Sequence, residues 1–245
     1  MLEFVERAFA PELLRVSPYA NDLVDFLWTV YNMGGNISTH VLFEQFPLAN
    51  DYITPLSKAG LVRYALGGFM NKNLKKESII VSIDGDFEKV AAGQTNRKDF
   101  EDLVFRNYGE KLIPHCRSVL TEPLAIMLTS VIYYATPSTP VFVNKVVRRA
   151  ARMSMKSQIQ CRDWLDYYLH RFLGLVAFET VSMVNLSVRS KQRIMNYQKV
   201  WELYSTEHKD KIKDEPKADE PKKLSSIVTS EQERKLKSYF PWMKL

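Results

Sequence analysis

The feature that most constrains the fold is a run of helices that ends at a glycine and continues into a pair of strands, and this feature occurs twice. Gly60-Leu61-Val62 follows the first run and Gly174-Leu175-Val176 follows the second. Glycine is favoured just after a helix because it adopts the left-handed conformation that ends it. The β-branched and aromatic residues that follow each junction favour strands. The sequence therefore predicts a mainly helical chain with small β-hairpins, an α+β protein.

In the first copy the apolar residues between positions 23 and 31 recur at helical spacing. Polar residues that commonly cap helices precede the predicted helices. Asn21 or Asp22 is predicted to cap the first helix, Ser38 the second, and Asn50 or Asp51 the third. Two strands, 61–66 and 79–83, are predicted to follow.

The second copy has the same predicted order. Its helices are expected over Pro123–Ala135, from Val141 to about Met155, and from a cap at Ser157 to Leu173. A hairpin over residues 177–188 follows, because two β-rich segments flank Ser182-Met183. A last helix is predicted over Lys191–Tyr204, where apolar residues again recur at helical spacing.

The string Leu56-Ser57-Lys58-Ala59-Gly60-Leu61-Val62-Arg63 resembles the winged-helix family, in which the third helix ends at a glycine and leads into the wing strands. The resemblance implies one winged-helix unit over residues 1–95, a helical connector over 96–120 and a second unit over 121–205. Tandem units of this kind resemble plasmid-type replication initiators and winged-helix regulators. The alternative is an α-rich domain with two incidental hairpins.

The positive charge of the chain is concentrated in the second copy. The whole chain carries a net charge of +6, and residues 120–205 alone hold eleven basic and five acidic side chains. Residues 17–95 hold six basic and eight acidic side chains. A concentrated basic region is typical of a nucleic-acid-binding protein, although scattered surface lysines give the same count.

The basic residues of the second copy follow a helical spacing. Lys145, Arg149, Arg152 and Lys156 recur at intervals of three and four, so they are predicted to share one helical face. The residues expected to contact DNA phosphates are Lys145, Arg148, Arg149, Arg152, Lys156, Arg189, Lys191 and Arg193. The residues expected to read bases, at the start of the next helix, are Ser157, Gln158, Gln160 and Arg162.

The first copy is expected to contribute less to DNA binding. Its third helix opens with Asn50-Asp51-Tyr52, and an acidic residue there would repel DNA. Its cations cluster at the predicted wing turn, where Lys72, Lys75 and Lys76 lie. The first copy is therefore predicted to serve mainly in protein contact, including homodimerisation. The apolar positions Leu2, Val5, Phe9 and Leu13 either contribute to a dimer or pack internally.

The C-terminal segment, residues 206–245, is predicted to be a flexible tail, since residues 209–223 are charged, contain proline and are nearly free of apolar residues. Beyond them, Leu236, Tyr239 and Phe240 have the spacing of a sliding-clamp-interacting peptide and resemble that motif. The motif places glutamine where this chain has Glu233. The other interpretation is a segment that folds back onto the protein or hangs free.

The sequence carries no recognisable catalytic, metal-binding or cofactor-binding motif, and the protein is therefore predicted not to be an enzyme. GxGxxG, GxxxxGK[ST], GxSxG and HExxH are all absent. Two cysteines make no disulfide framework and favour a reducing compartment, either the cytoplasm with its nucleoid or a nucleus. The longest nearly uncharged apolar stretch, Pro123–Ala135, is too short to span a bilayer, and no secretory signal is expected.

Two functions remain open at this point. The first is a non-enzymatic protein that binds duplex DNA through its second winged-helix unit, in replication or transcription control. The alternative is a tandem winged-helix adaptor that assembles a protein complex, as in chromosome organisation, without binding DNA itself.

Overall fold

The computed structural model describes residues 1–71, 76–134 and 139–196, and in that part of the chain the protein is mainly helical with two small antiparallel sheets. The α-helices are α1 (Leu2–Ala8), α2 (Ala10–Arg15), α3 (Pro18–Asn32), α4 (Thr39–Leu42), α5 (Ala49–Ala59), α6 (Gly85–Ala91), α7 (Arg97–Leu112), α8 (Thr121–Tyr134), α9 (Val143–Ser154), α10 (Gln158–Trp164) and α11 (Val188–Asn196). The strands are β1 (Ile37–Ser38), β2 (Val62–Asn71), β3 (Lys76–Ile83), β4 (Val141–Phe142), β5 (Val176–Thr180) and β6 (Met183–Leu186). A 3-10 turn spans Ile113–His115, and a π-helical segment, Leu165–Phe172, continues α10.

The start of α3 lies earlier than the sequence indicated. Ser17 is the N-cap, because its hydroxyl accepts a hydrogen bond from the Ala20 amide at 3.3 Å. Pro18 occupies the first helical position, where its missing N–H costs nothing. The predicted cap at Asn21 or Asp22 was therefore wrong, and both residues lie within the helix.

The first glycine junction is confirmed. Gly60 ends α5 with a φ of 81°, a left-handed conformation that glycine adopts without a steric penalty. The chain then enters β2, which pairs antiparallel with β3 from Val62 opposite Ile83. The two-residue strand β1 pairs with β3 on its other edge, through Ile37 opposite Val81, so the sheet order is β1-β3-β2.

The second sheet repeats this topology. β5 pairs antiparallel with β6, and the two-residue β4 pairs with the other edge of β6 through Val141 opposite Val184. Its order is β4-β6-β5. Helix, short strand, two helices and a hairpin thus occur in repeat one (residues 18–83) and again in repeat two (residues 121–186). The helices of repeat two are confirmed to within a few residues of their predicted ends.

The two N-terminal helices tie distant parts of the chain together. Val5, Phe9 and Leu13 are fully buried, so the N-terminal apolar face packs internally. The buried Glu6 carboxylate accepts a hydrogen bond from Arg117 at 2.7 Å, between the end of α7 and the start of α8. Arg15 pairs with Asp102 of α7 at 2.6 Å. Residues 1–198 form one compact unit.

Candidate nucleic-acid interface

Helix α9 separates apolar and cationic side chains on opposite faces. Val143, Val146, Val147 and Ala150 are buried, and they hold the helix against repeat two. On the outer side Lys145, Arg148 and Arg152 are exposed, at spacings of three and four residues. Residues at that spacing lie one above another on a helix, so the three cations form a stripe along one face.

The side chain of Arg149 has a different environment from its neighbours. It is half-buried, and its guanidinium carbon lies 3.7 Å from the centroid of the Tyr133 ring and 5.9 Å from that of Tyr134. Guanidinium groups stack favourably on aromatic faces at such distances. Arg149 therefore packs α9 against the end of α8, and its phosphate contact stays a prediction.

The cationic face also ends earlier than its spacing indicated. Met155 follows α9 in a left-handed conformation with a φ of 57°, and the helix stops at Ser154. Lys156 therefore lies beyond the turn, off the face that it was predicted to share with Lys145 and Arg152. Its half-buried side chain lines a cleft with Arg117 instead.

The start of α10 is exposed, as the DNA-binding hypothesis requires. Ser157 is confirmed as its N-cap, with the Ser157 hydroxyl accepting from the Gln160 amide at 3.1 Å. Gln158, Gln160 and Arg162 are all exposed. The Arg162 guanidinium lies 3.5 Å from the Val181 carbonyl, at the turn between β5 and β6. The side chains predicted to read bases are thus accessible and lie next to the hairpin.

Two arginines after the second hairpin pair with a buried carboxylate. The last helix starts at Val188, three residues before its predicted start, so Arg189 and Arg193 lie on α11. Both pair with the buried Glu12 carboxylate of α2, at 3.2 Å and 2.5 Å. These contacts fasten α11 to the N-terminal helices, while the Arg189 side chain stays 64% exposed. The phosphate contacts of Arg189 and Arg193 stay predictions. Lys191 is half-buried between them.

Apart from Arg149, ion pairing separates the arginines of the described residues into two groups. Nine pair with a carboxylate: Arg7, Arg15, Arg63, Arg97, Arg106, Arg117, Arg171, Arg189 and Arg193. In the same part of the chain Arg148, Arg152 and Arg162 have no carboxylate within ion-pair distance, and all three are exposed. Among the arginines, those that are exposed and lack a carboxylate partner are thus on α9 and α10, whereas the exposed lysines Lys58 and Lys98 lie on α5 and α7.

Carboxylates near this surface went unnoticed in the sequence. Asp163 is exposed directly after Arg162. Asp166 lies one turn further on, where it pairs with Arg171 at 2.8 Å. Helical spacing from Arg162 would have found Asp166, four residues on, and Asp163 is its direct neighbour in the sequence. Both carboxylates follow Arg162, so the cationic surface is limited to α9 and to α10 as far as Arg162.

Repeat one lacks a comparable stripe within the described residues. At the start of α5 Asp51 is exposed, and the nearest cation on that helix is Lys58 at its end. Arg63 pairs with Asp84 at 2.7 Å, and this hydrogen bond lowers the pKa of the Asp84 carboxyl. Asp84 also caps α6, with its carboxylate accepting from the Asp86 amide.

Some predicted sites fall partly or wholly outside the described residues. Lys72 and Lys75 of the predicted wing turn lie outside the described residues, and Lys76 is the first residue of β3. The clamp-like residues Leu236, Tyr239 and Phe240 lie there as well.

Within the described residues both cysteines are buried. No three histidine, cysteine, aspartate or glutamate side chains there are placed to hold a metal ion. Burial raises the pKa of the Cys116 thiol to about 12, which keeps it protonated and makes it a weak nucleophile. His170 contacts the Val176 carbonyl through Nδ1 at 3.0 Å and stacks edge-on against Phe178.

Comparisons with protein families, curated proteins and solved structures give no match for this chain. The helices of the described residues include none with the length and apolar character needed to cross a bilayer.

Proposed function

We propose that repeats one and two are winged-helix units, and that the second binds duplex DNA. Support for the fold assignment comes from the order of elements and from the sheet orders β1-β3-β2 and β4-β6-β5. In this arrangement α5 and α10 correspond to the third helix of the unit, the element that enters the major groove in DNA-binding members. Each hairpin corresponds to a wing.

The observation that carries the DNA-binding proposal is the grouping of Arg148, Arg152 and Arg162. Elsewhere in the described residues the fold neutralises its arginines with carboxylates, and on this surface it does not. Exposed cations without counter-charges repel one another, and a polyanion removes that repulsion while releasing its own condensed counterions. A phosphate backbone fits this surface because its charges are regularly spaced.

In the proposed interface two helices make different contacts with the DNA. Lys145, Arg148 and Arg152 of α9 contact phosphates and set the orientation of the protein on the duplex. Gln158, Gln160 and Arg162 of α10 face the base edges, where glutamine pairs with adenine and arginine with guanine. We infer that the protein acts in replication or transcription control.

The decisive experiment is a titration of a fluorescent duplex of about 20 base pairs at two or more salt concentrations. Three phosphate contacts, from Lys145, Arg148 and Arg152, give a slope of log affinity against log salt of about −2.7. The R148E/R152E variant is expected to lose most of the affinity, and the slope of its residual binding falls to about −0.9.

The control must change the net charge equally at a different place. Lys58 and Lys98 are exposed and belong to α5 and α7, so K58E/K98E carries the same charge change away from α9. Equal losses in both variants would reduce the effect to net charge and refute the assigned surface. An absence of any duplex binding by the wild-type protein at low salt would instead favour the adaptor function.

A further inference from the structure

An apolar cluster interrupts the cationic surface of repeat two. We define the methionine face as Val119, Met153, Met155 and Ile159, whose side chains are 73%, 45%, 89% and 77% exposed. Met153 and Met155 flank the end of α9, and Ile159 lies in the first turn of α10. Val119 and Met153 line one cleft, and Met155 and Ile159 lie at the adjoining ends of α9 and α10. Single exposed apolar residues are common, but several near one another favour a surface that a partner covers.

A cleft adjoins the methionine face. It has a volume of about 470 Å³ and lies between the segment that leads into α8 and the end of α9. Pro123, Ile126 and Met153 supply its apolar lining. A space of this size accommodates one or two side chains of another molecule.

Charge around the methionine face identifies the chemistry of its partner. Arg152 precedes Met153, Lys156 follows Met155, and Arg162 lies one helical turn beyond Ile159. Arg117 also lines the cleft, although it pairs with Glu6, and Glu122 is the carboxylate in the lining. Asp163, four residues beyond Ile159, is exposed and adds a second carboxylate. Arg152, Lys156 and Arg162 outnumber these two carboxylates, so the surroundings of the apolar side chains have a small cationic excess.

We propose that the methionine face binds an acidic amphipathic segment of a partner protein. Apolar side chains of the segment cover Met153, Met155 and Ile159 and enter the cleft, while its carboxylates pair with Arg152, Lys156 and Arg162. Methionine suits this role because its flexible, polarisable side chain adapts to different apolar shapes. The charge pairing suits an acidic segment and disfavours a basic one.

The proposal shares Arg152 and Arg162 with the proposed DNA interface, and its test contains no nucleic acid, so that the two proposals can fail separately. The probe is a fluorescent peptide of about fifteen residues with leucine at helical spacing and glutamate elsewhere, titrated with the full chain. Two peptides of the same length serve as controls, one with every leucine replaced by glutamine and one with lysine in place of glutamate. Binding of the leucine–glutamate peptide is expected to exceed that of both controls at least about tenfold.

The matching variant is M155S/I159S, which changes only exposed side chains. It is expected to bind the leucine–glutamate peptide about tenfold more weakly than the wild-type protein. The V41S/L66S variant removes comparably exposed apolar side chains, 64% and 73%, from repeat one, and it should bind like the wild type.

Three outcomes would overturn the proposal. The first is equal binding of the glutamate–glutamine peptide, which would reduce the effect to charge attraction. The second is unchanged binding by M155S/I159S, and the third is co-sedimentation with anionic lipid vesicles in the absence of peptide binding. If duplex binding persists while the peptide fails, the methionine-face inference falls and the proposed function stands.

Discussion

Replacing Glu12 by alanine tests whether α11 is held by the contacts that the structure shows. The Glu12 side chain is only 3% exposed, and its carboxylate accepts from Arg193 at 2.5 Å and Arg189 at 3.2 Å. The E12A variant leaves both guanidinium groups without that partner. Because Arg193 is 24% exposed, its charge is only partly hydrated once the carboxylate is gone.

The expected loss follows from the burial of each partner. Breaking a buried ion pair on one side typically costs about 3–5 kcal/mol of unfolding free energy, and partial hydration of Arg193 favours the lower end. Arg189 is 64% exposed, so the loss of its ion pair lowers the unfolding free energy by only about 0–1 kcal/mol. A loss of about 3 kcal/mol lowers the Tm of a chain of this size by about 6–12 °C.

Urea and thermal unfolding, followed by circular dichroism, measure this loss. The matched control is E3A, which breaks the exposed Glu3–Arg7 pair of α1, with side chains 67% and 61% exposed, and should cost less than about 0.5 kcal/mol. R193A should destabilise the protein more than R189A does. If E12A costs no more than E3A, the ion pairs do not hold α11 and the reasoning is wrong.

Three further substitutions test other parts of the fold. A Cβ at Gly109 would lie 3.3 Å from both Ala10 Cβ and Leu14 Cδ1, so G109V should lower the unfolding free energy by about 1–3 kcal/mol, measured in urea. Met155 has a φ of 57° and is 89% exposed, so M155G should raise the Tm by relieving about 1 kcal/mol of strain. Burial raises the pKa of Cys116 from 9.0 in the unfolded chain to about 12 in the folded protein. The buried, protonated thiol therefore makes its full contribution to the unfolding free energy below pH 9. That contribution disappears as the pH rises from 9 towards 12, because the unfolded chain loses the proton first, and C116A should show a shallower loss in alkaline unfolding curves.

Local features of the fold could be predicted from the sequence. The cap at Ser157 and the left-handed end of α5 at Gly60 depend on a few neighbouring residues, and both are confirmed. The two hairpins also follow from local β propensity. The strands β1 and β4 were missed because two residues are too short for any periodicity to appear.

The candidate interface was predictable only in part. Helical spacing identifies Arg148, Arg149 and Arg152 as neighbours on α9, but it cannot separate an exposed arginine from one that stacks on Tyr133. That distinction depends on Tyr133 of α8, a helix that the spacing of residues within α9 says nothing about. Periodicity likewise does not predict the Glu12–Arg193 pair, because a contact between residues this far apart in the sequence depends on the tertiary fold.

The Glu12–Arg193 contact also has a consequence during protein synthesis. Its two residues are 181 positions apart, so at about 5–20 residues per second the ribosome takes roughly 9–36 s to supply the second after the first. Through that interval the Glu12 carboxylate lacks both of its arginines and the Phe9 ring lacks the guanidinium of Arg193 that covers it. Nascent-chain experiments should therefore find the amino-terminal segment bound by chaperones until translation has passed the arginines that complete it.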